Sequence, residues 1–210
     1  MSEAASPPAL PRGRHQLSPE EVLASQRERL LEAMLDCVGE NGYAATTVPE
    51  VVASARVSRN AFYELFENKT DCLLALCLNL GEELLSRMYA LGEEPDWRRR
   101  LEAGTAVYIA HWQQRPAIAR AYLVELPSAG PEALAARDAQ LQMFEPMFAE
   151  LGALARRDLP DAAPLSPLVP RIVVYGITEL IAFEVRHGRT EQLGDLQDDL
   201  VDYIGAVLAP

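Results

Sequence analysis

Apolar residues recur along this chain at spacings of three and four, and short stretches rich in proline and glycine interrupt them. Leu31, Met34, Leu35 and Val38 share one helical face, between Ser18-Pro19-Glu20-Glu21 and Asn41-Gly42. That opening is a strong helix start. The serine hydroxyl can cap, proline fits the first helical position, and Glu21 can reach back to the cap amide. Asn-Gly supplies the stop. Thr47 with Glu50 three residues on repeats the capping pattern ahead of Val48, Val51, Val52 and Ala55. Ser58 opens a third helix ending near Phe66. Asn68 and Asp71 open a longer fourth, with Leu73, Leu74, Leu76, Leu80, Leu84 and Leu85 making it mostly buried. Beyond Gly92 five further helices are predicted, over about 96–114, 117–126, 131–157, 166–187 and 191–208. Arg115-Pro116, Pro127 to Pro131, Pro160 to Pro167 and Gly188 separate them. No period-two alternation persists, so the fold class is all-α with about nine helices.

Residues 1–17, with Pro7, Pro8, Pro11 and Gly13, read as a flexible arm tipped by Arg12, Arg14 and His15. Residues 18–67 form a three-helix head ending in a helix-turn-helix, and 68–210 a larger helical domain. On a helical wheel with Arg59 at 0°, Tyr63 falls near 40° and Asn60 near 100°, while Ala61, Phe62 and Leu65 lie between about 200° and 300°. One face can lock onto the preceding helix. The other offers a guanidinium, an amide and a phenol, groups suited to base edges and phosphates in a major groove.

From Gln26 to Leu76 the chain resembles the TetR family of transcription regulators. Asn41-Gly42-Tyr43, Thr46-Thr47-Val48, Val57-Ser58-Arg59, Phe62-Tyr63-Glu64-Leu65-Phe66 and Lys69 carry the resemblance. Beyond residue 80 the likeness is architectural only. The resemblance implies phosphate contacts from Thr46, Thr47, Tyr63 and Lys69, and base reading by Arg59 and Asn60 with Ser58 and Ala61 beside them. Arg12 and Arg14 could enter a flanking minor groove, as basic arms do elsewhere. Two positions depart from the family pattern. Arg56 stands where the turn usually has Gly, which costs about 1 kcal/mol if that position needs positive φ. Val52 replaces a commoner Ala. A short helical hairpin in a core would explain Phe62, Leu65 and Phe66 equally well, but leaves the exposed Arg-Asn-Tyr face unexplained.

Charge sharpens this reading. The net charge of −12 speaks against a protein that coats nucleic acid or anionic membrane. Residues 1–70 hold seven Lys and Arg against ten Asp and Glu, so a net of −9 falls on the remainder. Recognition of DNA must then rest on a few placed contacts. No apolar run approaches the ~20 residues of a membrane span, and the N-terminus lacks a signal-peptide core. Cys37, Cys72 and Cys77 have no metal-ligand spacing, and His15, His111 and His187 are scattered. A cytoplasmic location with reduced thiols follows. No cofactor, metal or membrane partner is expected.

In the larger domain the TetR-like picture places a small-molecule cavity and a dimer interface. One short helix reads only a few base pairs, so two half-sites of a palindromic operator, about 34 Å apart, require a homodimer. Ile172, Gly176, Ile177, Leu180, Leu196, Leu200, Tyr203 and Ile204 form the expected interface, an intramolecular core being the alternative. For the cavity, Tyr108, Trp112 and Tyr122 cluster on the fifth and sixth helices, Phe144, Met147 and Phe148 on the seventh, and Tyr175 on the eighth. Each also fits plain core. His111 and Glu125 are the candidate polar anchors. The sequence therefore reads as a ligand-responsive DNA-binding repressor released from its operator by a small apolar or aromatic effector. The alternative is a helical adaptor that kept the head and lost DNA binding. There is no phosphate loop, nucleophile elbow or catalytic triad pattern, so an enzyme is not expected.

Overall fold

The computed structural model describes residues 18–92, 94–157 and 163–209, and these are helical with no strand among them. The chain divides into two compact units, with the division between Cys77 and Leu78. Arg12, Arg14 and the rest of the arm lie outside the described residues.

The first unit holds helices α1 (Pro19–Asn41), α2 (Val48–Ala55), α3 (Arg59–Leu65) and the opening turns of α4 (Lys69–Tyr89). Local chemistry sets each boundary. The Glu21 amide donates to the Ser18 hydroxyl at 3.2 Å, and the Ser18 amide donates to the Glu21 carboxylate at 2.6 Å. Gly42 ends α1 at φ 76°, a backbone that disfavours a side chain. The Ser58 hydroxyl accepts from the Ala61 amide at 3.1 Å, and the Asn68 side chain accepts from the Asp71 amide at 3.0 Å. Leu30, Met34, Val38, Val51, Phe62 and Leu73 are sealed into one core. At about 1.5–3 kcal/mol for each fully buried side chain, this packing rather than helix propensity holds the short α2 and α3.

The second unit contains the rest of α4, then α5 (Trp97–Gln113) and α6 (Pro116–Arg120). The latter runs on through a π-helical turn, Ala121–Glu125, and a 3₁₀ turn, Leu126–Ala129. After it come α7 (Pro131–Gln142), α8 (Glu145–Ala155), α9 (Leu168–Arg186), a 3₁₀ segment Thr190–Leu196 and α10 (Gln197–Leu208). The single helix expected over 131–157 is two. Pro146 lacks an N–H and its ring crowds the carbonyl four residues back, so the chain turns at Met143-Phe144 and restarts. The segment expected as helix from 191 likewise begins in 3₁₀ form and becomes α-helical only at Gln197.

Candidate functional site

The helix-turn-helix is α2, the turn through Arg56 and Val57, and α3. Arg56 caps α2 at φ 53° and ψ 41°, and among the described residues it alone, glycines apart, has positive φ. The left-handed turn that usually takes Gly is therefore kept here by an arginine, at a cost of about 1–2 kcal/mol. Beyond it Ala61 and Phe62 turn inward, while Ser58, Arg59, Asn60 and Tyr63 are exposed. The Arg59 guanidinium sits 5.6 Å from the Tyr63 ring centroid, which pre-orders both on one edge of α3.

Three of the residues expected at the DNA are turned inward in this structure. Thr46 is fully buried, and its hydroxyl donates to the Gly42 carbonyl at 2.8 Å. Ala61 is core, because its methyl lies on the inward face with Phe62. Lys69 points back into its own unit. Its ammonium donates to the carbonyls of Tyr43 and Thr46, each at 2.9 Å, and to that of Ala44 at 3.4 Å. It also lies 4.3 Å from the Tyr43 ring centroid. An ammonium has three protons, and all three have acceptors here. Thr47 is exposed, but its amide and hydroxyl both donate to the Glu50 carboxylate at 2.8 Å, which guards that helix end against a phosphate. Arg29 is drawn toward the Ala55 carbonyl at 3.4 Å and Arg27 toward the Phe66 ring at 5.9 Å. Among the described basic residues of this unit, Arg56 and Arg59 are the exposed ones.

The second unit holds a partly open cavity of about 70 Å³. One face of α5 supplies Arg100, Gly104, Tyr108 and Trp112, four residues apart. Tyr122 enters from the π-helical turn, and Phe144, Met147 and Phe148 from the start of α8 and the residue before it. The rings of Trp112 and Tyr122 lie 5.2 Å apart and those of Tyr108 and Trp112 5.9 Å. Leu84 and Met88 of α4, and Val174, Ile177 and Thr178 of α9, complete much of the wall. The polar groups are few and turned on each other. The Tyr108 and Thr178 hydroxyls lie 3.3 Å apart, and Thr178 donates to the Val174 carbonyl at 2.8 Å. Burial pushes the Tyr108 phenol pKa up, against the opposing pull of Thr178 and Trp112. Arg100, 8 % exposed, pairs with Glu150 at 3.0 Å and holds that carboxyl below its usual range.

His111, Glu125 and Tyr175 are not part of the wall. His111 is buried with neither ring nitrogen hydrogen-bonded, edge-on to Trp112 at 4.6 Å between centroids. Burial, then the Arg115 guanidinium, push its pKa down to about 4, against the pull of Glu83. Glu125 pairs with Arg120 at 3.0 Å, and the Tyr175 hydroxyl donates to Asp138 at 3.4 Å. Sequence reasoning missed Arg100 and Gly104, although their four-residue spacing to Tyr108 and Trp112 was a usable signal.

The expected interface residues separate in the same way. Leu200 and Ile204 are buried in the chain's own core, and Ile204 and Ile177 line the cavity. Leu200 and Ile204 are unavailable to a partner because α10 packs them inward, and Ile177 of α9 is turned to the cavity. Leu196 is half-buried. Ile172 and Tyr203 are more than half exposed, Leu180 is exposed, and a Cβ on Gly176 would meet nothing within 4 Å. Leu168, Ile172, Gly176, Leu180 and Phe183, all exposed, leave an apolar stripe on the outer face of α9. The three cysteines are buried, and burial pushes the Cys72 and Cys77 thiols up to about 12, far from thiolate chemistry. No helix among the described residues is long and apolar enough to cross a membrane, and no group of three or more candidate metal ligands occurs among them.

Comparison with known proteins fits this geometry. The sequence pattern of the bacterial regulatory proteins of the tetR family matches residues 30–76. The transcriptional regulator AcuR of Cereibacter sphaeroides is 40 % identical over 75 residues, 34 % of this chain and 33 % of that protein. The match thus spans about a third of the relative's length and falls short of its remainder. In fold, the chain is similar to the transcriptional regulator FadR of Bacillus subtilis, solved with stearoyl-CoA. The TM-score is 0.76 at 18 % identity, covering 86 % of this chain and 98 % of that one. It is similar also to the fatty acid degradation regulator FadR of Bacillus halodurans, with TM-score 0.78 at 16 % identity, covering 91 % and 97 %. The head, residues 30–76, is thus similar in sequence to the bacterial regulatory proteins of the tetR family, and the all-helical fold is similar over most of its length to those of solved transcriptional regulators.

Proposed function

We propose that the protein is a homodimeric repressor that reads a palindromic operator with α3 and is released by a small apolar effector. The observation that carries the reading is the division of α3. Ala61 and Phe62 are locked in the core, while Arg59, Asn60 and Tyr63 stand exposed along one edge. Arg59 and Asn60 have the bidentate chemistry for guanine and adenine edges, and Tyr63 and Arg56 the donors for flanking phosphates. Residues 18–67 serve as the DNA-binding domain, and 68–210 bind the effector and dimerise. The α9 stripe around Gly176, with Tyr203, supplies the self-complementary surface that a two-fold dimer needs. The cavity supports an effector that is mostly apolar, and a protein of the same fold was solved with an acyl-chain ligand. Effector binding shifts occupancy only through differential affinity for the releasing state, of order a few kcal/mol.

The test is binding of the full-length protein to its own promoter region and to a genomic library. The expected result is a preferred palindrome with steep salt dependence, lost in Arg59→Ala and in Tyr63→Ala while the fold is retained. An intact dimer with no sequence preference would overturn the reading in favour of a helical adaptor.

A further inference from the structure

The cavity runs along α5. Arg100 and Trp112 lie at the two ends of one α5 face, twelve residues and hence about 18 Å apart. The ends differ in chemistry. At one, Arg100 meets Glu150, whose side chain is 55 % exposed, so this end reaches solvent. At the other, Trp112 and Tyr122 are each 3 % exposed and close the space. Between them stands Gly104, one helical turn from Arg100. A glycine inside a helix costs about 1 kcal/mol relative to alanine. No close neighbour explains its presence. A Cβ built there meets only the Met88 methyl at 3.8 Å, an ordinary contact at the end of a flexible side chain. Gly81 is different, since a Cβ there would overlap the Gln140 amide. Gly104 therefore leaves open space in the wall where every other position of the α5 face projects a side chain.

We propose that Gly104 is the passage through which a single unbranched apolar chain runs from Arg100 to the Trp112–Tyr122 end, its anionic head pairing with Arg100. This rests on the reading of the cavity as the effector site. A single flat ring would leave much of the ~18 Å along α5 unfilled, and a cationic head would meet Arg100. Glu150 holds Arg100 in the free protein but is mostly in water, so it can give way to the anion at little cost, whereas Arg100 is buried and stays. The head chemistry is shared by a free carboxylate and by an acyl chain on a phosphorylated carrier.

The test uses the full-length protein, calorimetry with octanoate, dodecanoate, methyl dodecanoate and dodecanoyl-coenzyme A, and the variants Gly104→Ala, Gly104→Leu and Arg100→Met. Each buried methylene adds about fourfold, so wild-type affinity should rise by roughly two orders of magnitude from octanoate to dodecanoate. In Gly104→Leu that gain should collapse to less than about threefold, with a melting temperature no lower than wild type. Gly104→Ala should bind dodecanoate within about threefold of wild type and melt about 2–4 °C higher. Arg100→Met should weaken an anionic ligand about tenfold or more and leave the methyl ester unchanged. Tighter wild-type binding of dodecanoate supports a carboxylate head, and tighter binding of the thioester a phosphorylated carrier. An undiminished chain-length gain in Gly104→Leu, or equal loss of acid and ester in Arg100→Met, would overturn the proposal. The proposal and the effector reading can fail separately. Chain binding as described with no change in operator affinity sinks the effector role and leaves the passage. Release of DNA by some other ligand class while no chain binds sinks the passage and leaves the effector role.

Discussion

Replacing Lys69 with methionine keeps most of the aliphatic stem and removes the ammonium. In the structure that ammonium satisfies three carbonyls of the loop between α1 and α2, two of them at 2.9 Å. A hydrogen bond to a charged group contributes about 1.5–3 kcal/mol. Two good bonds on a half-buried group, taken at the low end, give about 3 kcal/mol, and the carbonyls left behind can be partly rehydrated. For a chain of this length that corresponds to a fall in melting temperature of about 6–12 °C. The loop also positions Thr47 and the start of α2, so operator affinity should drop as well. Salt dependence separates the two possible causes. If Lys69 neutralised a phosphate, its loss would reduce the log–log salt slope by about 0.9 per protomer, near 1.8 for a dimer. With its protons committed to carbonyls, the slope should change by less than about 0.5. Thermal denaturation and binding at four salt concentrations measure both quantities. A variant as stable as wild type with a slope reduced by nearly two would refute the reasoning and return Lys69 to the DNA backbone.

Three other outcomes are expected. Arg56→Gly removes a left-handed strain of about 1–2 kcal/mol and adds about 0.4–1 kcal/mol of unfolded-state freedom. A net gain of roughly 0.5–1 kcal/mol in urea denaturation should accompany weaker operator binding; a loss of stability would contradict the φ of 53°. His111, with its folded pKa pushed down to about 4, stays neutral where the unfolded chain takes up a proton. Its contribution is intact above the unfolded pKa of about 6.5 and is lost as pH falls toward 4, so stability should fall by about 2 kcal/mol between pH 7 and pH 5, and less steeply in His111→Leu. Ile172→Glu combined with Leu180→Glu should yield folded monomers in sedimentation, since both lie on the exposed stripe of α9; an undisturbed dimer would place the interface elsewhere.

How much of this was legible without coordinates depended on whether the deciding interaction was local. The caps at Ser18, Ser58 and Asn68 lie within three residues of the amides they satisfy, and the stop at Gly42 is equally short-range. The strained turn at Arg56 was readable for the same reason. Lys69 was not, because its acceptors lie 23 to 26 residues away and its position at a helix start fits a phosphate just as well. The apolar residues of α9 and α10 were ambiguous for another reason. Ile172 and Ile204 are the same residue type at helical spacing, and only packing sends one outward and the other into the cavity wall. Pro146 was a local signal left unused, and Gly104 one whose meaning needs the empty space beside it.

The commitment of Lys69 inward bears on how such a protein finds its site. Residues 18–77 carry five basic side chains against ten acidic ones, and three of the five bind elsewhere in the head. Affinity for arbitrary DNA is set by the number of phosphates neutralised. On the proposed function, residues 18–77 would offer random sequence only two outward cations, a weak hold. Through these residues alone the protein would search by repeated three-dimensional collisions more than by sliding. Copies not parked on the genome would be free to meet either the operator or the proposed effector, and a small change in effector concentration would then not be buffered by such a reservoir.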